Sequence, residues 1–180
     1  METIRVNANL FCKMVLASMG ISKVTDEVLE KDNDVVVYTC EVLEQRRIDL
    51  KNVASIFSNP RMRGSISKEG WKKLICLEMQ YDLEERENGE KFLKMEKQDF
   101  ESLVGMVVND LLGIRCNAEM EVKAVDDNGE TSIYSAFVTL KYDCKVILDI
   151  DKISAEFLNF MGFGMEIAVE DKETLSVKIY

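Results

Sequence analysis

The residues in this sequence best placed to do chemistry are cations. Positions 46 to 73 hold Arg46, Arg47, Lys51, Arg61, Arg63, Lys68, Lys72 and Lys73 against only two acids, Asp49 and Glu69. The segment carries +6 on a chain of net charge −10. Arginine forks match phosphate and carboxylate geometry, and Gly64 and Gly70 offer places where backbone N–H groups could approach an anion. Trp71, the only tryptophan, could stack on a base or anchor a protein contact; core packing is its alternative. Three uses fit the island: an ordinary solvated loop, a contact with a protein or a second subunit through acidic surface, or a grip on nucleic acid or phosphate. The expected binding residues are Arg46, Arg47, Arg61, Arg63, Lys68, Trp71, Lys72 and Lys73.

Other chemistries find less support. The chain has no histidine, which removes the commonest general base and metal ligand and with them Ser-His-Asp and Cys-His catalysis. Cys12, Cys40, Cys76, Cys116 and Cys144 are spaced by 28, 36, 40 and 28 residues, so none forms a C-x-x-C pair. Five small buried hydrophobes in a reducing, cytoplasmic compartment is the expectation. Asp126, Asp127, Asn128 and Glu130 lack EF-hand spacing, and turn chemistry accounts for them. Asp149 and Asp151 read more simply as a strand end running into a helix N-cap than as a Mg²⁺ pair. No P-loop, G-x-G-x-x-G or RNP pattern is present. No catalytic residue, metal or cofactor is therefore expected. Neither a signal peptide nor a membrane span is expected, because no apolar run reaches about 18 residues.

The elements that must position the island follow from periodicity. Helices are expected at about 7–19, 49–58, 99–112 and 151–161, each with one apolar face. Three close on apolar-Gly-apolar triplets, Met19-Gly20-Ile21, Leu112-Gly113-Ile114 and Met161-Gly162-Phe163, the pattern of an αL stop. The second closes on Asn59-Pro60. Between them lie alternating strands. Ile75, Leu77, Met79, Tyr81 and Leu83 share one face. The alternation from Tyr134 to Ile150 is long enough to imply a bent strand or one crossing two sheets.

Register can be read by parity. Leu83 and Tyr81 should oppose Leu93 and Met95 around Glu87-Asn88-Gly89. Val122 and Met120 should oppose Tyr134 and Ala136 around Asp127-Asn128-Gly129. Val169, Ile167 and Met165 should oppose Leu175, Val177 and Ile179. Residues 24–42 also fit a hairpin around Asp32-Asn33-Asp34, although 24–30 suits a short helix equally well. The least regular stretch, 59–70, reads as an exposed loop or a boundary.

The fold expected is α+β: an extended antiparallel sheet of repeated helix–β-hairpin units, with helices packed on one face. Residues 1–180 form one domain, with a subdivision near 59–70 as the alternative. The function expected is a non-catalytic interaction protein, an adaptor, chaperone-like binder or inhibitor, that docks on a protein partner and is itself a candidate homo-oligomer. Nucleic-acid or phosphoanion binding through 46–73 is the less favoured alternative, since the net charge repels polyanions and anionic membranes. A histidine-independent enzyme using carboxylates or a thiolate is the third.

Overall fold

The computed structural model describes residues 2–45, 57–112, 118–122, 125–127, 130–133, 136–142, 165–169 and 174–179. Along the chain they form β1 (Thr3–Asn7), α1 (Ala8–Ser18), β2 (Ile21–Asp32), β3 (Val35–Gln45), β4 (Met62–Glu69), β5 (Lys72–Met79), β6 (Asp82–Glu85) and β7 (Lys91–Glu96). Then follow α2 (Lys97–Leu112), β8 (Ala118–Val122), β9 (Val125–Asp127), β10 (Glu130–Ile133), β11 (Ala136–Tyr142), β12 (Met165–Val169) and β13 (Thr174–Ile179). The architecture is α+β. In place of one extended sheet there are three: a mixed sheet ordered β6-β7-β1-β10-β9, and two antiparallel sheets ordered β2-β3-β5-β4 and β12-β13-β11-β8. The helices expected at 49–58 and 151–161 lie outside the described residues, apart from Phe57 and Ser58.

The core gathers around α1, because nine of its eleven residues are buried. A helix apolar on nearly every side must be covered on nearly every side. Its start is set by Asn7, whose Oδ1 accepts from the Leu10 amide at 3.2 Å, satisfying one of the orphan donors of the first turn. Its end is set by Gly20 at φ +78°, whose amide donates to Ala17 O. Phe11 meets Tyr81 edge-on, with ring centroids 5.7 Å apart. From α2, Phe100, Leu103, Val104 and Val107 join the same core.

Strand β1 runs through the middle of the mixed sheet, antiparallel to β7 and parallel to β10. Its buried Ile4 and Val6 stand opposite Met95 and Leu93. The register reading holds at Leu83 and along the tail, while Tyr81 lies outside β6 and does not pair with Met95. Leu83 pairs with Leu93, and Val169, Ile167 and Met165 pair with Leu175, Val177 and Ile179. The segment 24–30 is strand.

Three expectations are corrected. Residues 62–69 are not a loop: they form β4, paired to β5 along its whole length from Met62↔Met79 to Glu69↔Lys72. Next, Asp127 pairs directly with Glu130 and so belongs to the ladder rather than to the loop, and Val122 opposes Val138 rather than Tyr134. The cause is that this hairpin divides between sheets, β9 and β10 joining the mixed sheet while β8 and β11 stay in the last one. Finally, Asp32 pairs with Val35, so the β2–β3 turn is two residues, with Asn33 at φ +54°. A bulge between Thr25 and Val28 takes up the odd residue, and Asp26 there sits at φ +53°.

Candidate functional site: the β4–β5 hairpin

The middle of the basic island is a β-hairpin. Lys68 opposes Lys73 and Glu69 opposes Lys72, so Gly70 and Trp71 alone make the turn. Gly70 has φ +59° and Trp71 is not among the positive-φ residues. Glycine at the first central position of a two-residue turn is the type II′ solution, whose twist suits antiparallel strands. The turn holds Trp71 clear of the protein, with 100% of its surface exposed. The core reading of Trp71 is therefore wrong: a hydrophobic residue at the tip of a two-residue turn has no neighbouring layer to enter.

Around that indole the three lysines are exposed. Lys72 Nζ lies 3.2 Å from Glu41 Oε2, and Lys73 Nζ donates to Gln45 Oε1 at 2.9 Å. Lys68 has no ion pair among the described residues. Lys68 and Lys73 stand directly opposite each other, a like-charge pairing that costs stability unless an anion or solvent screens it.

The other expected binding residues do not all join this tip. Arg63 is exposed at the far end of β4, opposite Glu78. Arg61 turns toward the protein: Nη2 donates to Glu96 Oε1 at 3.0 Å and Nη1 to Asp99 Oδ2 at 3.1 Å. Its own amide donates to Asn59 Oδ1, and its carbonyl accepts from the Gln80 amide at 2.8 Å. That engagement ties the start of β4 to β7 and α2. The hydrogen bond with Glu96, then the charges of Glu96 and Asp99, raise the guanidinium pKa above its ordinary value. Arg46 and Arg47 lie outside the described residues. Gly64 does not open the backbone to an anion, because its α-carbon faces the Phe57 ring and Leu77. Gly70 does face open space.

A second cluster escaped the sequence reading. Tyr38 Oη donates to Glu27 Oε1 at 2.8 Å, and Lys13 of α1 is ion-paired to the same oxygen. Burial alone would raise the Glu27 pKa, but the hydrogen bonds from Lys13 and Tyr38 and the lysine charge outweigh it, and the net shift is downward. Burial first, and the Glu27 hydrogen bond second, push the Tyr38 phenol up. The thiols of Cys12, Cys40 and Cys76 are all pushed up as well, burial being the largest cause in each. None is an activated nucleophile. The clue in the sequence was Tyr38 itself, a hydroxyl in the buried row Val36, Tyr38, Cys40 that must find an acceptor.

Among the described residues no three Cys, Asp or Glu side chains are grouped to hold a metal, and no helix is long and apolar enough to cross a membrane. Surface depressions on β4 and β5 are small: about 90 Å³ beside Arg61 and Arg63, and about 210 Å³ between Arg63, Ser65, Cys76 and Glu78. Both fall below the usual volume of a small-molecule site. No protein-family model, curated protein or solved structure matches the chain.

Proposed function

We propose that the chain is a non-catalytic interaction protein, an adaptor, chaperone-like binder or inhibitor, which docks on an acidic surface of a protein partner through the β4–β5 tip. The observation that carries this reading is Trp71, fully exposed on a stiff two-residue turn and ringed by Lys68, Lys72 and Lys73. An indole on a two-residue turn has only two side-chain torsions to fix on binding and buries a large apolar area. The lysines select a negative partner and speed encounter. With Glu69 the tip carries only about two net positive charges, too few to hold a polyanion strongly against the field of a −10 chain.

The finer fold expectation, repeated units with helices on one face, is part of this reading. The order β2-β3-β5-β4 recurs as β8-β11-β13-β12, and in each half a strand and a helix precede the sheet. The repeat in this reading is a strand–helix–four-strand unit, interrupted in its second copy by β9 and β10 between β8 and β11.

The test is affinity capture from the source cells with three baits: the parent chain, Trp71→Ala, and Lys68→Glu/Lys73→Glu. A partner held by the parent and lost by both variants supports the reading. Equal capture by Trp71→Ala sinks it. So does tight binding of a single-stranded oligonucleotide that weakens steeply with salt.

A further inference from the structure

Of the strands that lie at the edges of the described sheets, β4 is both long and regular. β6, β9, β8 and β12 have four, three, five and five residues. β2 is longer, but its bulge between Thr25 and Val28 is a device that spoils an edge for further pairing. β4 keeps an unbroken register with β5 over all eight of its residues, and Ser65, Ile66, Ser67, Lys68 and Glu69 are exposed.

The hydrogen-bonding phase of this edge is fixed at both ends. A two-residue turn closes on a hydrogen-bonded pair, here Glu69 and Lys72. At the other end Arg61 O accepts from the Gln80 amide, while the Met62 amide turns away to Asn59 O. Hydrogen-bonded positions alternate along an antiparallel strand. Arg63, Ser65, Ser67 and Glu69 therefore direct their backbone groups at β5. Gly64, Ile66 and Lys68 direct theirs outward, where they meet no partner among the described residues. These three positions are open to one more antiparallel strand.

The sequence of β4 is complementary to itself in one register. When Ile66 of two copies stand opposite each other on a two-fold axis, Gly64 of each faces Lys68 of the other, so all the outward backbone groups are matched. Ser65 then faces Ser67, and Arg63 faces Glu69 on both sides of the axis. Opposite charges meet across the seam and like charges do not. A shift of two residues either way keeps the backbone phase but separates Ile66 from its copy and Arg63 from Glu69. We infer that β4 pairs antiparallel with β4 of a second copy in this register, joining two β2-β3-β5-β4 sheets into one. The Ile66 side chains, 40% exposed in the single chain, meet at the axis. About six backbone hydrogen bonds form, two for each hydrogen-bonded pair. An edge contact is smaller than a standard interface, so the dimer is a weak one, of about micromolar order or weaker. The inference does not depend on the partner of Trp71.

Sedimentation equilibrium of the full chain, from about 1 µM to about 1 mM, tests it over the range such a contact supports. A monomer–dimer equilibrium with no larger species is expected, because a two-fold pairing uses up the edge. Ile66→Pro should weaken dimerisation at least about tenfold, since it removes the donors of the central pair; proline with its nitrogen facing solvent is tolerated on an edge strand. Arg63→Glu and Glu69→Arg should each dimerise more weakly than the parent, by setting like charges opposite each other. An equimolar mixture of these two variants restores opposite charges at both ends and should form a heterodimer, and the double exchange in one chain should restore the homodimer. Circular dichroism establishes that each variant is folded, and the charge variants carry the test if Ile66→Pro is not. A parent chain that stays monomeric at about 1 mM overturns the inference. Growth beyond a dimer, undiminished dimerisation of folded Ile66→Pro, or a mixture of folded charge variants that associates no better than either alone overturns it equally.

Discussion

The ring of Phe57 occupies the space in which a side chain at Gly64 would begin. A Cβ built on Gly64 would also approach Leu77 Cδ2 to 2.9 Å. Gly64 is thus a packing position in β4, where the absence of a side chain admits an aromatic ring.

Gly64→Ala should destabilise the protein by about 1–3 kcal/mol, the usual cost of overpacking. In a Phe57→Ala background the same substitution should cost much less. Urea unfolding of the four proteins gives the coupling directly. Additive effects would mean that the ring and the glycine do not share this space.

The Glu27 cluster predicts an acid limb. Because the folded-state pKa of Glu27 is lowered from 4.5, its contribution to stability is present above that value and is lost as pH falls through the folded pKa. Glu27→Gln should flatten the stability profile below about pH 4.5, with the smaller amplitude expected of a partly exposed group. Tyr38→Phe should cost about 1 kcal/mol at neutral pH, the net worth of one hydrogen bond. Chemical denaturation from pH 3 to 7, in steps of about half a unit, separates the two. An unchanged acid limb in Glu27→Gln would refute the assignment.

Arg61 and Arg63 should part company. Arg61→Ala removes the ties to Glu96 and Asp99 and should lower the melting temperature. Arg63→Ala, at an exposed position, should leave it within the small range usual for surface substitutions. Differential scanning calorimetry decides this. It also decides which arginine can be altered in a binding assay without disturbing the fold.

Trp71 offers a direct optical check. As the only tryptophan in the chain, its emission should match that of free tryptophan in water, shift little on unfolding in urea, and be quenched by iodide at nearly the free rate. A blue shift in the isolated protein at low concentration would contradict its exposure. A blue shift that develops only when a partner is added would report burial of the tip.

Much of the fold was legible because alternation encodes faces and faces constrain register. The tail hairpin is the clearest instance: apolar residues at 165, 167 and 169 and at 175, 177 and 179 admit one even register, and that register is present. The hairpin at 118–142 was misread for a reason no local window contains. Strand β10 is drawn off by β1, more than 120 residues earlier in the chain, and the hairpin divides where that pairing begins. β4 looked like a loop because Arg63, Gly64, Ser65, Ser67 and Lys68 are weak or neutral strand formers. At a sheet edge such residues are tolerated, and the charged ones discourage unwanted pairing.

The candidate site was half visible. Charge counting found the lysines, because clustering is a property of sequence. It could not separate Arg61 from them, since the acids that hold Arg61 are 35 and 38 residues away. Nor could residue type reveal that Trp71 is exposed, because indoles are usually buried. Only the two-residue turn shows it. The Glu27 network depends on a bulge that turns one side chain, which alternation cannot foresee.

The placement of β1 has a consequence for biosynthesis. Thr3–Asn7 leaves the ribosome first among these strands, yet its partners are Phe92–Glu96 and Ser132–Ile133. At about 5–20 residues per second, roughly 6–26 s pass between the emergence of β1 and of its last partner. Until Phe92–Glu96 emerge both edges of β1 are open, and the edge that meets β10 stays open through the whole interval, directly beside the almost wholly apolar α1. The stretch 3–18 is therefore an aggregation hazard during synthesis. Closure of the mixed sheet, dominated by non-local pairs, is the step expected to limit the rate of folding.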